Sequence, residues 1–108
     1  MDHGFPESDW KVFRALYPGA LDRFSKSVLD ELKSISGDFG RTHHERYLAI
    51  YVLLQKRDKQ LARLFDNPRR SQMLRQLDAI WSYGLLNREE LDRFSESTQK
   101  FLGVFVQD

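Results

Sequence analysis

From Trp10 to Ile35 the large apolar side chains follow one another at steps of three and four residues: Trp10, Phe13, Tyr17, Leu21, Phe24, Val28, Leu32 and Ile35. That spacing puts one side chain per turn on one face of an α-helix and does not fit the every-second-residue face of a strand. The phase resumes at Tyr47 and runs through Tyr51, Leu54, Asp58, Leu61 and Phe65, flanked by Leu48, Ile50, Ala62 and Leu64. Long amphipathic helices bury such stripes by packing on other helices, so the pattern predicts an all-α fold, a small helical bundle.

The helix ends are marked by punctuation residues. Pro18-Gly19 falls inside the first stripe, and because the phase survives the proline, one helix kinked near Pro18 is expected. Ser8 or Asp9 is the expected N-cap, leaving residues 1–8 as a flexible tail ahead of a single domain over 9–108. Gly37 is expected to end the helix in the left-handed conformation. Thr42-His43-His44-Glu45 reads as a capping box that opens a second helix of about 24 residues, ~36 Å long.

Asn67-Pro68 is expected to stop that helix and start another, with Asn67 as cap and Pro68 at the first helical position. Met73, Leu74, Leu77, Ile80 and Trp81 form its buried face, and Gly84 closes it. Asn87-Arg88-Glu89-Glu90 repeats the capping signal. Ser95 caps a last segment holding Phe101 and Leu102, ahead of a fraying end. The expectation is two long antiparallel helices followed by two or three shorter C-terminal ones, with the second and third helices also antiparallel because their connection is short.

Composition bounds the function classes. At 108 residues, 41% hydrophobic and 31% charged, the chain has the make-up of one ordinary globular domain. It contains no cysteine, which removes disulfides, thiolate metal sites and thiol nucleophiles and agrees with a reducing compartment; cytoplasm is the expectation. The start, Met1 to Pro6, carries no basic segment followed by an apolar one, so no secretory leader is expected. The longest apolar run, Tyr47 to Leu54, is far short of the ~20 residues of a spanning helix, so no membrane contact is expected.

Charge is uneven although the net value is only +1. Residues 56–75 hold Lys56, Arg57, Lys59, Arg63, Arg69, Arg70 and Arg75 against Asp58 and Asp66, an excess of five positive charges. Lys56, Lys59, Arg63, Arg69 and Arg70 form a candidate anion or nucleic-acid ridge that would hold phosphates without reading sequence. Its plain structural reading is a solvated face whose arginine stems cover apolar surface. Arg41, His43 and His44 make a smaller basic group about the amides after Thr42, at the far end of the same helix.

No spacing points to catalysis. Adjacent His43 and His44 cannot both turn to one metal from a regular helix, no histidine recurs four residues on, and no inward Glu-x-x-His pair occurs. Neither a Gly-x-Ser-x-Gly turn nor a glycine-rich phosphate loop is present, so neither a metal nor another cofactor is expected. Asp58 interrupts the second stripe and is expected to be partly buried and paired with Arg75 or a neighbouring arginine.

From Leu74 onward, Leu77, Ile80, Gly84-Leu85-Leu86-Asn87, Glu89-Glu90-Leu91 and Phe94 resemble the short C-terminal oligomerisation module of bacterial proteins, a helix, a Gly-Leu-Ile-Thr-like turn and a second helix. Asn87 stands at the module's usual Thr, and Arg93-Phe94-Ser95-Glu96 interrupts the lysine-rich second helix. The whole chain, through Trp10-Lys11-Val12-Phe13-Arg14, Glu45-Arg46-Tyr47-Leu48-Ala49-Ile50-Tyr51 and Arg69-Arg70-Ser71, resembles small helical proteins of proteobacteria. Those resemblances imply helices and self-association and bring no activity. The functional expectation is a non-catalytic protein-protein interaction module that forms a homodimer or binds another protein through Trp10, Tyr17, Tyr47, Tyr51 and Trp81. The alternative is sequence-independent nucleic-acid binding through the basic ridge.

Overall fold

The computed structural model describes residues 5–103, which form five α-helices and no strand among them. They are α1 Glu7–Ser36, α2 His43–Phe65, α3 Met73–Ser82, α4 Arg88–Leu91 and α5 Glu96–Phe101, with one 3-10 turn, Arg70–Gln72, leading into α3. Of the tail expected over residues 1–8, residues 1–4 lie outside the described residues, as does the end expected to fray at 104–108, while Glu7 and Ser8 already belong to α1 rather than to a tail.

The first helix is a single element of 30 residues that continues through Pro18. Pro18 and Arg14 both lie on its solvent side, where the carbonyl that loses an amide partner to the proline can be hydrated. The helix starts earlier than its sequence suggests. Pro6 occupies the cap position and its carbonyl accepts from the Asp9 amide at 3.0 Å, so Ser8 and Asp9 are first-turn residues rather than caps.

The two long helices run antiparallel: Tyr17 donates to the Phe65 carbonyl, Glu31 pairs with Arg57, and Arg46 donates to the Ser36 carbonyl. Partners climb along α1 as they descend along α2, and the shared stripe is the interface. Thr42 opens α2 with the expected reciprocal cap, Glu45 N to Thr42 Oγ1 at 3.0 Å and Thr42 N to Glu45 Oε1 at 2.8 Å.

Two turns differ from expectation. Gly37 ends α1 with φ −91°, an ordinary conformation, its amide reaching the Lys33 carbonyl at 3.0 Å. The left-handed residue is instead Asn67, at φ 50°, where a short polar side chain tolerates the geometry. Asn67 therefore makes the turn and Pro68 lies in the loop after it, while Arg69 takes the cap position of the 3-10 turn. Gly84, at φ 75°, closes α3 as expected, with Leu85 N bonded to the Ile80 carbonyl at 3.2 Å and Gly84 N to that of Trp81 at 2.9 Å.

The core lies at one end of the molecule. Phe13, Leu16, Ala20 and Phe24 of α1, Leu64 and Phe65 at the end of α2, and Met73, Leu77, Ile80, Leu85, Leu86, Leu91 and Phe94 of the C-terminal segments are buried together. The C-terminal hairpin around Gly84 spends its apolar residues here, inside its own chain. Each such side chain contributes about 1.5–3 kcal/mol on burial.

Two polar clamps close this end. The buried Asp9 carboxyl accepts from Ser95 N at 2.7 Å, Ser95 Oγ at 2.6 Å and Thr98 Oγ1 at 2.6 Å, tying the first turn of α1 to the start of α5. Arg23 reaches from α1 to the Leu85 carbonyl at 2.8 Å and to both oxygens of Glu90 at 2.6 and 3.1 Å. Glu90 also completes the cap of α4 by accepting from Asn87 N at 2.9 Å, while Asn87 Oδ1 accepts from Glu90 N at 2.8 Å.

Beyond the core, no residue from Leu29 to Arg63 is fully buried. Here α1 and α2 have only each other, and they project as a two-helix arm. The molecule measures 55 by 33 by 19 Å with a radius of gyration of 17.2 Å, against about 13 Å for a compact domain of this length.

Asp9→Ala strands the Ser95 amide and the buried Thr98 hydroxyl, and urea unfolding should show a loss of about 3 kcal/mol; a loss below ~1 kcal/mol would contradict the clamp. The Glu90 carboxyl is held below its ordinary value of 4.5, first by the Arg23 hydrogen bond and then by the Asn87 amide. A depressed folded-state value gives stability that is complete above the unfolded value and lost as pH falls through the folded one. Glu90→Gln should therefore be less stable by about 1 kcal/mol at neutral pH, with thermal melts of the two proteins converging as pH drops from about 5 to about 3.

Candidate functional site

The arm's second helix has its own asymmetry. Arg46, Ile50, Leu53, Arg57, Gln60 and Leu61 are half-buried along α2, and this is the side it turns to α1. The neighbouring stripe, Tyr47, Tyr51, Leu54 and Asp58, expected from sequence to be the buried one, is exposed throughout. Arg57 sets the phase: its Nε and Nη2 donate to the two oxygens of Glu31 at 2.9 and 2.8 Å, and its Nη1 to Gln60 at 2.6 Å. Those bonds hold the Glu31 carboxyl below its usual range and the guanidinium above its own.

Burial along the displaced stripe falls steadily with distance from the core. Phe65 is 3% exposed, packed edge-on against Tyr17 and Phe24 with ring centres 5.4 and 6.1 Å away; Leu54 is 40% exposed, Tyr51 54% and Tyr47 64%. Leu48, Val52 and Leu29 are exposed beside them, and Phe39 at the tip, where the Arg46 guanidinium lies 5.3 Å from its ring centre. Between the arm's helices runs an open groove of about 220 Å³ lined in part by Leu29, Leu32, Leu54, Asp58 and Leu61.

The remaining expected anchors do not share this face. Trp10 is in the core, stacked on Phe13 at 5.8 Å and covered by the Arg70 guanidinium 5.5 Å from its ring. Tyr17 is half-buried, its hydroxyl bonded to the Phe65 carbonyl, and burial together with the Asp66 charge pushes its phenol up. Trp81 is half-buried against the core. These rings anchor α1 and α3 within the chain, because the C-terminal helices supply the second layer that the arm lacks.

The basic ridge divides similarly. Lys56, Lys59, Arg63 and Arg69 are exposed, and none has a carboxylate within salt-bridge distance among the described residues. Arg70 is engaged with Glu7, Nη2 to Oε2 at 2.8 Å, which holds the Glu7 carboxyl below its usual range. Asp58 is exposed and makes no pair with Arg75, whose Nε donates to Gln72 at 2.8 Å; once the helix turns by one stripe, Asp58 faces water and needs no partner. At the tip, Arg41 pairs with Asp38 at 3.2 Å, and His44 stacks on Tyr47 with ring centres 6.2 Å apart.

A second depression, about 360 Å³ and open, is bordered by Trp10, Phe13, Arg14, Tyr17 and Pro68. Ser25 and Asp58 both line the groove between α1 and α2, with the Ser25 hydroxyl donating to the Leu21 carbonyl at 3.0 Å. Among the described residues no three His, Asp or Glu side chains converge as a metal cage would require, and no helix is long and apolar enough to cross a membrane. No protein family, no curated protein and no solved structure matches this chain.

The sequence offers Asp9 only as a candidate N-cap, whereas in the fold it is the buried acceptor for Ser95 and Thr98. Its signal was there: it sits one helical step ahead of Phe13, Leu16 and Ala20, a carboxyl in phase with the buried face.

Proposed function

We propose that this protein is a non-catalytic helical interaction module whose projecting arm is its docking element, and that the arm's partner is a second copy of the chain. The observation that carries the reading is the unbroken apolar arc of Tyr47, Leu48, Tyr51, Val52 and Leu54 on a helix whose opposite side already holds α1. Contiguous apolar surface of that kind on a soluble protein marks a contact site, and tyrosines are favoured there because they bury large area at small entropic cost. Leu29 extends the patch onto α1.

The second reading is nucleic-acid binding, favoured by Lys56, Lys59, Arg63 and Arg69, which are exposed and have no carboxylate within salt-bridge distance among the described residues. The two readings respond oppositely to salt. A complex built on phosphate contacts weakens by orders of magnitude between about 50 and 200 mM salt, whereas an apolar interface does not.

Light scattering over about 5 to 200 µM protein should give twice the chain mass at the upper end, with little change on adding salt. Tyr51→Asp should shift the monomer–dimer midpoint about 100-fold upward without lowering helix content. A particle of single-chain mass throughout, together with retention on DNA that disappears with salt and with Lys59→Glu plus Arg63→Glu, would replace this reading with the second.

A further inference from the structure

Resting on that reading, we infer that the two copies meet arm to arm through an antiparallel α2–α2 seam whose twofold axis passes at Tyr51. The seam is written in the exposed arc. With Tyr51 as an a position, Tyr47 and Leu54 fall at d and Leu48 and Gln55 at e of the heptad, and the polar His44 and Asp58 stand at the flanking a positions. All of these residues are exposed in the single chain, and none belongs to the stripe that packs on α1.

The order of residues along the seam selects the direction. Its two ends carry opposite ionisable groups, His44 toward the tip and Asp58 toward the core. A parallel pairing sets His44 against His44 and Asp58 against Asp58. An antiparallel twofold at Tyr51 sets His44 of each copy opposite Asp58 of the other, Leu48 opposite Leu54, Tyr47 opposite Gln55, and Tyr51 opposite itself. The first arrangement sets two Asp58 carboxylates against each other, and the second gives each carboxylate an imidazole that can donate a hydrogen bond to it.

Shape and area agree. Leu48 of the second copy, arriving opposite Leu54, meets the groove lined by Leu29, Leu32, Leu54 and Leu61, a ready hole for an incoming knob. Leu29, Tyr47, Leu48, Tyr51, Val52 and Leu54 are 40% to 64% exposed. Without Val52, which lies beside rather than in the seam, they leave on the order of 600 Å² uncovered per copy, the larger part of the ~800 Å² per partner of a standard interface. Lys56 and Arg63 fall on the far side of α2 from the seam, so the paired arms would keep them in solvent.

Because the chain has no cysteine, an introduced one is its sole thiol. Leu48→Cys and Leu54→Cys, one of them carrying an affinity tag, are oxidised singly and as an equimolar mixture, with light scattering on the same samples. The mixture should accumulate the tagged–untagged disulfide dimer, while each variant alone stays largely uncrosslinked. As a second measurement, His44→Glu and Asp58→Lys should each raise the dimer dissociation constant about tenfold, and the double variant should recover to within about threefold of the parent. A dimer by scattering in which Leu48→Cys crosslinks to itself, or in which the mixture gives no heterodimer, overturns the register and leaves self-association standing. A single-chain mass at all concentrations overturns both.

Discussion

Two helices packed side by side can each cover only the stripe that faces the other, and everything else must find a third layer or meet water. In this chain the third layer exists at one end. There α3, α4 and α5 wrap the first half of α1 and the last turn of α2, and the core residues are sealed. The rest of α1 and α2 extends past that cover, so an apolar stripe that is buried at Phe65 is progressively uncovered through Leu54, Tyr51 and Tyr47. The candidate site is the consequence of where the C-terminal helices stop.

Short C-terminal helices of four and six residues do not hold their place by backbone bonding alone. The Asp9 carboxyl and the Arg23–Glu90 pair fix them, one at each side of the α1 core face, using partners more than 60 residues away in sequence. Both clamps lie at the core end. Among the described residues the arm has no equivalent on its outer side: its polar ties, Arg57 to Glu31 and Arg46 to the Ser36 carbonyl, run between α1 and α2 and hold the two helices in phase. That phase is what presents Tyr47, Tyr51 and Leu54 to solvent.

Much of the fold was legible because it rests on local chemistry. The caps at Thr42, Asn87 and Ser95 and the stop at Gly84 need only a few consecutive residues, and the α1 stripe has a single apolar arc. The α2 phase was not legible. Its apolar residues span two adjacent arcs, so periodicity alone could not choose between Tyr47-Tyr51-Leu54-Asp58 and Ile50-Leu53-Arg57-Leu61; the choice came from Glu31, a residue on another helix. The same error produced the expected Asp58–Arg75 pair. Trp10 and Trp81 were read as interface anchors on aromatic content, and only the tertiary arrangement assigns them to the core side. Gly37 still ends α1, but the left-handed residue is Asn67, because that turn is needed between α2 and α3 and not at the end of α1.

Amide hydrogen exchange as a function of protein concentration addresses the uncovered arm most directly. If that face is closed by a second copy, amides across residues 47–58 gain protection as concentration rises from about 1 to about 200 µM, while those of α3 stay constant at their core-limited rate. Arm protection that does not change over that range would contradict the account.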